Sequence, residues 1–287
     1  MKSNVAILTD TNSGITIKKA EEMGIHLILM PILIDGKVYL EEKDISKEEF
    51  FAKLTSDADV TTSQPSPGDI IDMFDNLLKD YEEVVYIPMS SGLSGTCQTA
   101  TMLAEDYDGK VHVVDNQRIS VTMSQSVTDA LHLRDEGKTG AEIKAYLEAD
   151  ALNAPIFIMV DTLKYLKKGG RVTAAGAAIG EVLNIKPVLK IDGGKLDAFA
   201  KVRGAKQANK TMLNALQNEM EHRLKGKNVV IAGAYSGDIG LGHELENILH
   251  DQFTGMDICI DALPMSICTH VGPGAVGMAF INCYKQI

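Results

Sequence analysis

The chain has no CxxC pair, no Walker signature, no internal repeat and no net positive charge. Each absence removes a class of function. Cys97, Cys259, Cys268 and Cys283 stand singly in apolar surroundings, which leaves no thiolate metal site and reads as reduced core thiols. Without a Walker pattern the glycine-rich segments carry no P-loop, and no cofactor is indicated. A net charge of −11 argues against nucleic acid as a partner.

The first residues, MKSNVAILTD, run straight into a strand-like segment and lack the apolar core of a secretory signal, so a cytoplasmic location is expected. Residues 262–284 carry no Asp, Glu, Lys or Arg and are long enough to cross a bilayer. Pro264, Ser266, Thr269, His270, Pro273 and Asn282 interrupt them, however. That polar, helix-breaking content reads as buried strand, turn and helix, with the GPG after His270 turning into the helix.

What remains is a globular protein of 287 residues, 45% hydrophobic and 23% charged, long enough for two domains that each bury a core. Short apolar runs alternate with helical patterns, which predicts an α/β architecture. Val5 to Leu8, Val84 to Met89 and Val111 to Val114 read as strands. Ser46 with Glu49, Ser66 with Pro67, and Thr139 with Glu142 open helices. Ile156 to Val160 begins a second unit, with strands near Val188 to Ile191, Val229 to Ala232 and Ile258 to Ile260 and helices near Gln207 to Leu224 and His243 to Phe253. The expected domains are residues 1–155 and 156–287.

Four segments carry chemistry: TSQPS from Thr62, SSGLSGT from Ser90, KKGGR ending at Arg171, and HVGPG from His270. Hydroxyls and free N–H groups in turns that open helices hold small anions. SSGLSGT follows a strand and precedes a helix, where α/β sheets place ligands. Ser94 reads either as a cap of that helix or, with Gly95, as an anion contact. Ser66 is the simplest cap of its own helix, which leaves Thr62, Ser63 and Gln64 as polar groups without a structural task. His270 is either a satisfied core histidine or a ligand contact, and Arg171 either an exposed cation or a carboxylate clamp. From Lys164 to Lys210 there are eleven Lys and Arg against three Asp and Glu, a net of +8 that leaves −19 for the rest. A basic face on an acidic body follows, unless these lysines only solvate the surface.

In this order the segments resemble the DegV family of fatty-acid-binding proteins. The resemblance runs the length of the chain, through TDT at Thr9, PILIDG at Pro31, DIS at Asp44, TSQPS, SSGLSGT, VVDN at Val113, LKKGGR at Leu166, IKPVL at Ile185 and HVGPGAVG at His270. It implies two α/β domains and a long acyl chain buried in one, with its carboxyl group near the domain interface. It also implies carboxyl contacts from Thr62 and Ser94, completed by His270 and Arg171. Such proteins present the fatty acid to a separate kinase that phosphorylates the carboxyl, so the implied role is that of a carrier without catalysis of its own. Lys167, Lys168 and Arg203 are the expected docking residues for that kinase, and transient contact with a membrane is compatible with the ligand. Asn12, Ser13, Asn116 and Gln117 depart from the family pattern and are expected to lie outside the carboxyl contacts.

The energetics suit a long tail. Roughly fifteen methylenes at about 0.8 kcal/mol each supply on the order of 12 kcal/mol before ordering and partition costs. The rival reading is a serine hydrolase, because Ser94, Asp115 and His270 follow the Ser, Asp, His order of α/β-hydrolases. Against it, GLSGT places Thr96 where the nucleophile elbow needs glycine.

Overall fold

The computed structural model describes residues 4–178 and 185–285. The first part runs β1 (Val5–Asp10), α1 (Ile17–Met23), β2 (His26–Ile28), β3 (Pro31–Ile34), β4 (Lys37–Leu40), α2 (Lys47–Leu54), β5 (Val60–Thr62), α3 (Pro67–Leu77), β6 (Glu83–Ile87), α4 (Thr96–Ala104), β7 (Val111–Val113), α5 (Val121–Asp135) and α6 (Gly140–Ala149). The chain continues through β8 (Ile156–Met159), α7 (Lys164–Gly169), α8 (Ala174–Ala177), β9 (Ile185–Ile191), β10 (Asp197–Arg203) and α9 (Ala205–Glu221). It ends with β11 (Val229–Tyr235), α10 (Ile239–Gln252), β12 (Ile258–Ala262), α11 (Met265–Val271) and β13 (Val276–Asn282).

Local chemistry sets several boundaries where the sequence places them. Ser46 and Glu49 close a capping box on α2, and Thr139 and Glu142 close another on α6. Ser66 accepts from the Asp69 N–H, with Pro67 in the first turn of α3.

A parallel sheet has the order β2-β1-β6-β7. Its strands are apolar on both faces because both are covered. Ile7, Val85 and Ile87 pack with Met123 and Ile143 of α5 and α6, while Leu8, Val84 and Tyr86 pack with Ile70 and Phe74 of α3. A small antiparallel sheet, β4-β3-β5, is joined between β3 and β4 by Asp35 and Gly36, both with positive φ (50° and 80°), as a tight hairpin turn needs. It buries Ile32, Ile34 and Val60 in the same cluster as Leu166, Leu189 and Val271. One core therefore joins strands from opposite ends of the chain.

The third sheet, β10-β9-β8-β13-β11-β12, is antiparallel except between β11 and β12. Its two faces differ in side-chain size. Phe157, Ile231, Met278 and Phe280 pack with residues of α9 and α10. By strand alternation the opposite face carries Ile156 and Ile158, Ala232 and Ala234, and Gly277 and Ala279. In register, Ile158, Gly277 and Ala234 stand in one row and Ile156, Ala279 and Ala232 in the next. Four of these six residues are Ala or Gly, so this face leaves space.

Two expectations are corrected. The GPG after His270 leads out of a helix and not into one: α11 ends at Val271, and Gly272 and Gly274, with φ of 75° and 81°, turn the chain into β13. The run Val276–Asn282, with Val, Phe and Ile, suits a central strand. Cys259 is exposed because β12 is an edge strand, whereas Cys97, Cys268 and Cys283 are buried as expected. Among the described residues no helix is long and apolar enough to cross a membrane.

Candidate functional site

Above the small-residue face lies a cavity of about 910 Å3, counting the space open at its mouth. Its walls are mostly apolar, with Ile156, Ala232 and Ala279 from the sheet facing Leu263, Ile267 and Val271 from the α11 region. Polar groups join them, among them Thr62, Ser63 and Gln64; Ser94; Arg171; and Ser266 with His270. Thr62 is the last residue of β5, and its hydroxyl lies 2.8 Å from Nε2 of His270, in the last turn of α11.

Burial, and secondarily the Arg171 guanidinium, hold the His270 pKa down at about 4, so the imidazole is neutral near pH 7. Its Nδ1 is buried and has no hydrogen-bond partner among the described residues. Gly169 lets the end of α7 come this close, since a Cβ there would lie 2.2 Å from Nδ1. Arg171 follows the left-handed Gly170, donating from Nε to the Leu93 carbonyl at 3.3 Å and from Nη1 to the Gly169 carbonyl. Among the described residues no carboxylate pairs with Arg171, which leaves a half-buried cation beside a neutral histidine. Thr62, Arg171 and His270 also line an outer cleft with Lys168 and Tyr165, of about 520 Å3 including open solvent. These three residues form a neck between the apolar cavity and the surface.

The SSGLSGT turn is held from across the molecule. The Ser90 hydroxyl donates to the Gly193 carbonyl, and a Cβ on Gly92 would strike Gly194 at 2.7 Å. Ser94 is not the N-cap of α4; that position is Gly95. The Ser94 hydroxyl lies 2.9 Å from that of Thr96 and accepts from the Thr96 N–H. The Thr96 N–H is therefore already bonded and not open to an anion. Gly95 is absent from the cavity lining and sits against the Gln64 side chain, while Ser63 and Ser94 do line the cavity.

The serine-hydrolase arrangement is not assembled. Asp115 accepts from the Ser91 hydroxyl and N–H, His270 is bonded to Thr62, and Ser94 to Thr96. The basic residues are dispersed. Lys168 pairs with Asp59 at 2.6 Å and donates to the Val60 carbonyl. Lys167 and Arg203 are exposed, and Arg203 ends β10 opposite Ile185, at the edge of the sheet end that feeds α7. No group of three or more His, Cys, Asp or Glu suited to a metal occurs among the described residues.

Sequence reasoning missed three lining residues. Asn12, expected outside the contacts, lines the cavity, and its side-chain oxygen lies 3.0 Å from the Ser266 hydroxyl. Ser266 and His270 stand at i and i+4, one helix face, a spacing visible in the sequence. Ser120 enters with φ of 54°, for which the sequence gives no signal. Behind them, buried Glu41 accepts from the Thr11 hydroxyl at 2.6 Å and from the Ser266 N–H at 2.9 Å, tying α11 to the start of the chain. Burial pushes the Glu41 carboxyl up to about 7.

The fold thus leaves an apolar cavity with a neutral histidine, a guanidinium that pairs with no carboxylate among the described residues, and hydroxyls at a neck. Residues 4–282 match the family described as "Uncharacterised protein, DegV family". The chain belongs to the DegV family. It is 31% identical over 281 residues to a DegV domain-containing protein of Staphylococcus aureus, covering 96% of this chain and 98% of that protein. With a counterpart from Clostridium acetobutylicum the identity is 32% over 282 residues, covering 96% and 97%. Among solved structures, a DegV family protein from Thermus thermophilus described for its fatty acid binding superposes with a TM-score of 0.87 at 29% identity, covering 97% and 99% of the two chains. A fatty acid binding DegV family protein from Streptococcus agalactiae gives 0.86 at 28%, covering 98% and 99%.

Proposed function

We propose that this protein binds a long-chain fatty acid, with the tail on the Ala and Gly floor of the six-stranded sheet and the carboxylate at the neck. The observation that carries the reading is the polarity of the cavity. Its sheet floor offers nothing to pair with a charge, whereas Thr62, Ser94 and Arg171 supply donors to one ligand head, with His270 completing the network through Thr62 and Ser63 at the rim. An unpaired buried carboxylate is costly, so these groups fix orientation while the methylenes supply affinity. If His270 donates from Nε2 to Thr62, the Thr62 hydroxyl proton is free for the ligand. The relatives' described fatty acid binding supports this assignment.

The same proposal makes the protein a carrier for a partner fatty acid kinase, with no catalysis of its own. The neck residues also line the outer cleft, so a carboxylate among them is reachable from the surface for attack on a phosphoryl group. Lys167 and Arg203, exposed and without an ion pair among the described residues, steer an acidic partner there, and Lys168 contributes a charge already paired to Asp59. Residues 1–155 and 156–287 are proposed as the two domains, because the strands of the parallel sheet precede that boundary and those of the six-stranded sheet follow it. The test is phosphorylation of the bound acid by purified kinase. Charge reversal at Lys167 and Arg203 is expected to slow phosphorylation at low salt with binding intact, and an unchanged rate would remove the docking proposal.

A further inference from the structure

The cavity meets a second groove at one place. Val121, which opens α5, and Ala232 of β11 line both. The groove runs between α5 and the edge strand β12, with Gln125 and Cys259 in its walls and about 860 Å3 of space including open solvent. The floor is continuous across the boundary: Ile156 pairs with Ala279, Ala279 with Ala232, and Ala232 with Cys259. Directly opposed residues share a sheet face, so these four form one row beneath α5.

Along the strands the floor rises. The head end lies beyond Ile158, Gly277 and Ala234, toward α7 and Arg171. In the other direction, past Ala279 and Ala232, the next paired residues on this face are Ile281 and Val230, both buried and larger. A tail that reaches Ala232 meets that step ahead, and the path left to it is sideways, over Ala232 toward Cys259. Val121 stands over this path, packed against the cluster that holds Ala232, Ala279 and Ile281. A β-branched side chain on a helix is held in one rotamer, which makes it a firm stop.

We propose that Val121 and Ala232 form the end wall that sets the longest acyl chain held, and that the groove floored by Cys259 receives the methyl end of any chain that exceeds it. This rests on the reading of the cavity as a fatty acid site. Ala232→Leu fills the last stretch of floor, and Val121→Ala removes the stop.

The test equilibrates the full chain and each variant with an equimolar series of straight saturated fatty acids, then quantifies bound acids by mass spectrometry. Ala232→Leu is expected to shift the bound distribution about two methylenes shorter, at about fourfold in affinity for each methylene that loses apolar cover. Val121→Ala shifts it longer. In Val121→Ala, a long acid bearing a thiol-reactive group at its methyl end also labels Cys259, and hexadecanoate suppresses the labelling. Distributions unchanged in both variants, at full total occupancy, place the end wall elsewhere and overturn the proposal. A wild-type protein that takes up none of the acids overturns the fatty acid reading itself, a result distinct from the first.

Discussion

Thr62 and His270 lie 208 positions apart and meet at 2.8 Å, at the neck between an apolar cavity and the surface. β5 ends at Thr62 and α11 ends one residue past His270, so two element ends, each anchored in the shared core, deliver the pair. With Arg171 beside them and Ser94 on the same lining, the four can converge on one anionic head group.

Thr62→Val and Ser94→Ala each remove a donor from a buried anion. Each is expected to weaken fatty acid binding by about 1–3 kcal/mol, read as the shift in a competitive displacement titration. Full affinity in the double variant, with an unchanged melting curve, would assign the carboxylate to other groups.

Gly169 faces the imidazole, and Gly169→Ala puts a Cβ where only 2.2 Å is available to His270 Nδ1. The ring must turn, which breaks its bond to Thr62. Affinity is therefore expected to fall by about tenfold, the equivalent of one net hydrogen bond, with a smaller effect on chemical denaturation. A variant that binds as the wild type does would show that the Thr62–His270 contact is dispensable.

Two buried groups at the site titrate in opposite senses. His270, lowered to about 4 by burial, gives stability that is present above its unfolded value of 6.5 and lost as pH falls toward 4. Glu41, raised to about 7 by burial, gives stability that is present below its unfolded value of 4.5 and lost as pH rises toward 7. Each shift is worth on the order of 3 kcal/mol, so they largely cancel in the wild type. Relative to the wild type, Glu41→Gln is expected to tilt stability upward from pH 4 to 7 in urea unfolding, and His270→Gln to tilt it downward. Profiles parallel to the wild type's in both variants would contradict the assignment.

The legible parts of the fold were those fixed by short-range chemistry. Ser46 with Glu49 and Thr139 with Glu142 identify their helix starts because the capping partners lie three residues apart. β13 was hidden because its neighbours are distant in sequence, and the same glycines suit a turn into a helix or into a strand. The β3–β4 hairpin carries a readable signal, Asp35-Gly36 between PILI and KVYL. Among the site residues, Thr62, Ser94, Arg171 and His270 stood out as polar groups in special turns, and one lining holds all four. Asn12 and Ser120 did not, because the contact that joins them, Ser120 N–H to the Asn12 carbonyl, spans more than a hundred residues. The cavity floor is visible afterwards in VGMAFIN, where small residues alternate with larger ones, and in the small AGA run of VVIAGAY. Which face needs the small ones depends on where α9 and α10 pack.

Arg118 is buried in the segment that presents Ser120. It pairs with Asp150 at 2.7 Å and donates to Ser126 and to the Ala151 and Asp150 carbonyls. Arg118→Ala leaves these acceptors unpaired and is expected to cost about 3–5 kcal/mol in chemical denaturation. A loss below 1 kcal/mol would mean that the segment is held by other contacts.

The most direct measurement is native mass spectrometry of the purified protein, with its lipid extracted and identified. The account requires one fatty acid per chain, held noncovalently, lost on denaturation and retained less in Thr62→Val/Ser94→Ala. A protein that is lipid-free and takes up no added fatty acid, or that carries an acyl group surviving denaturation on Ser94, would contradict it.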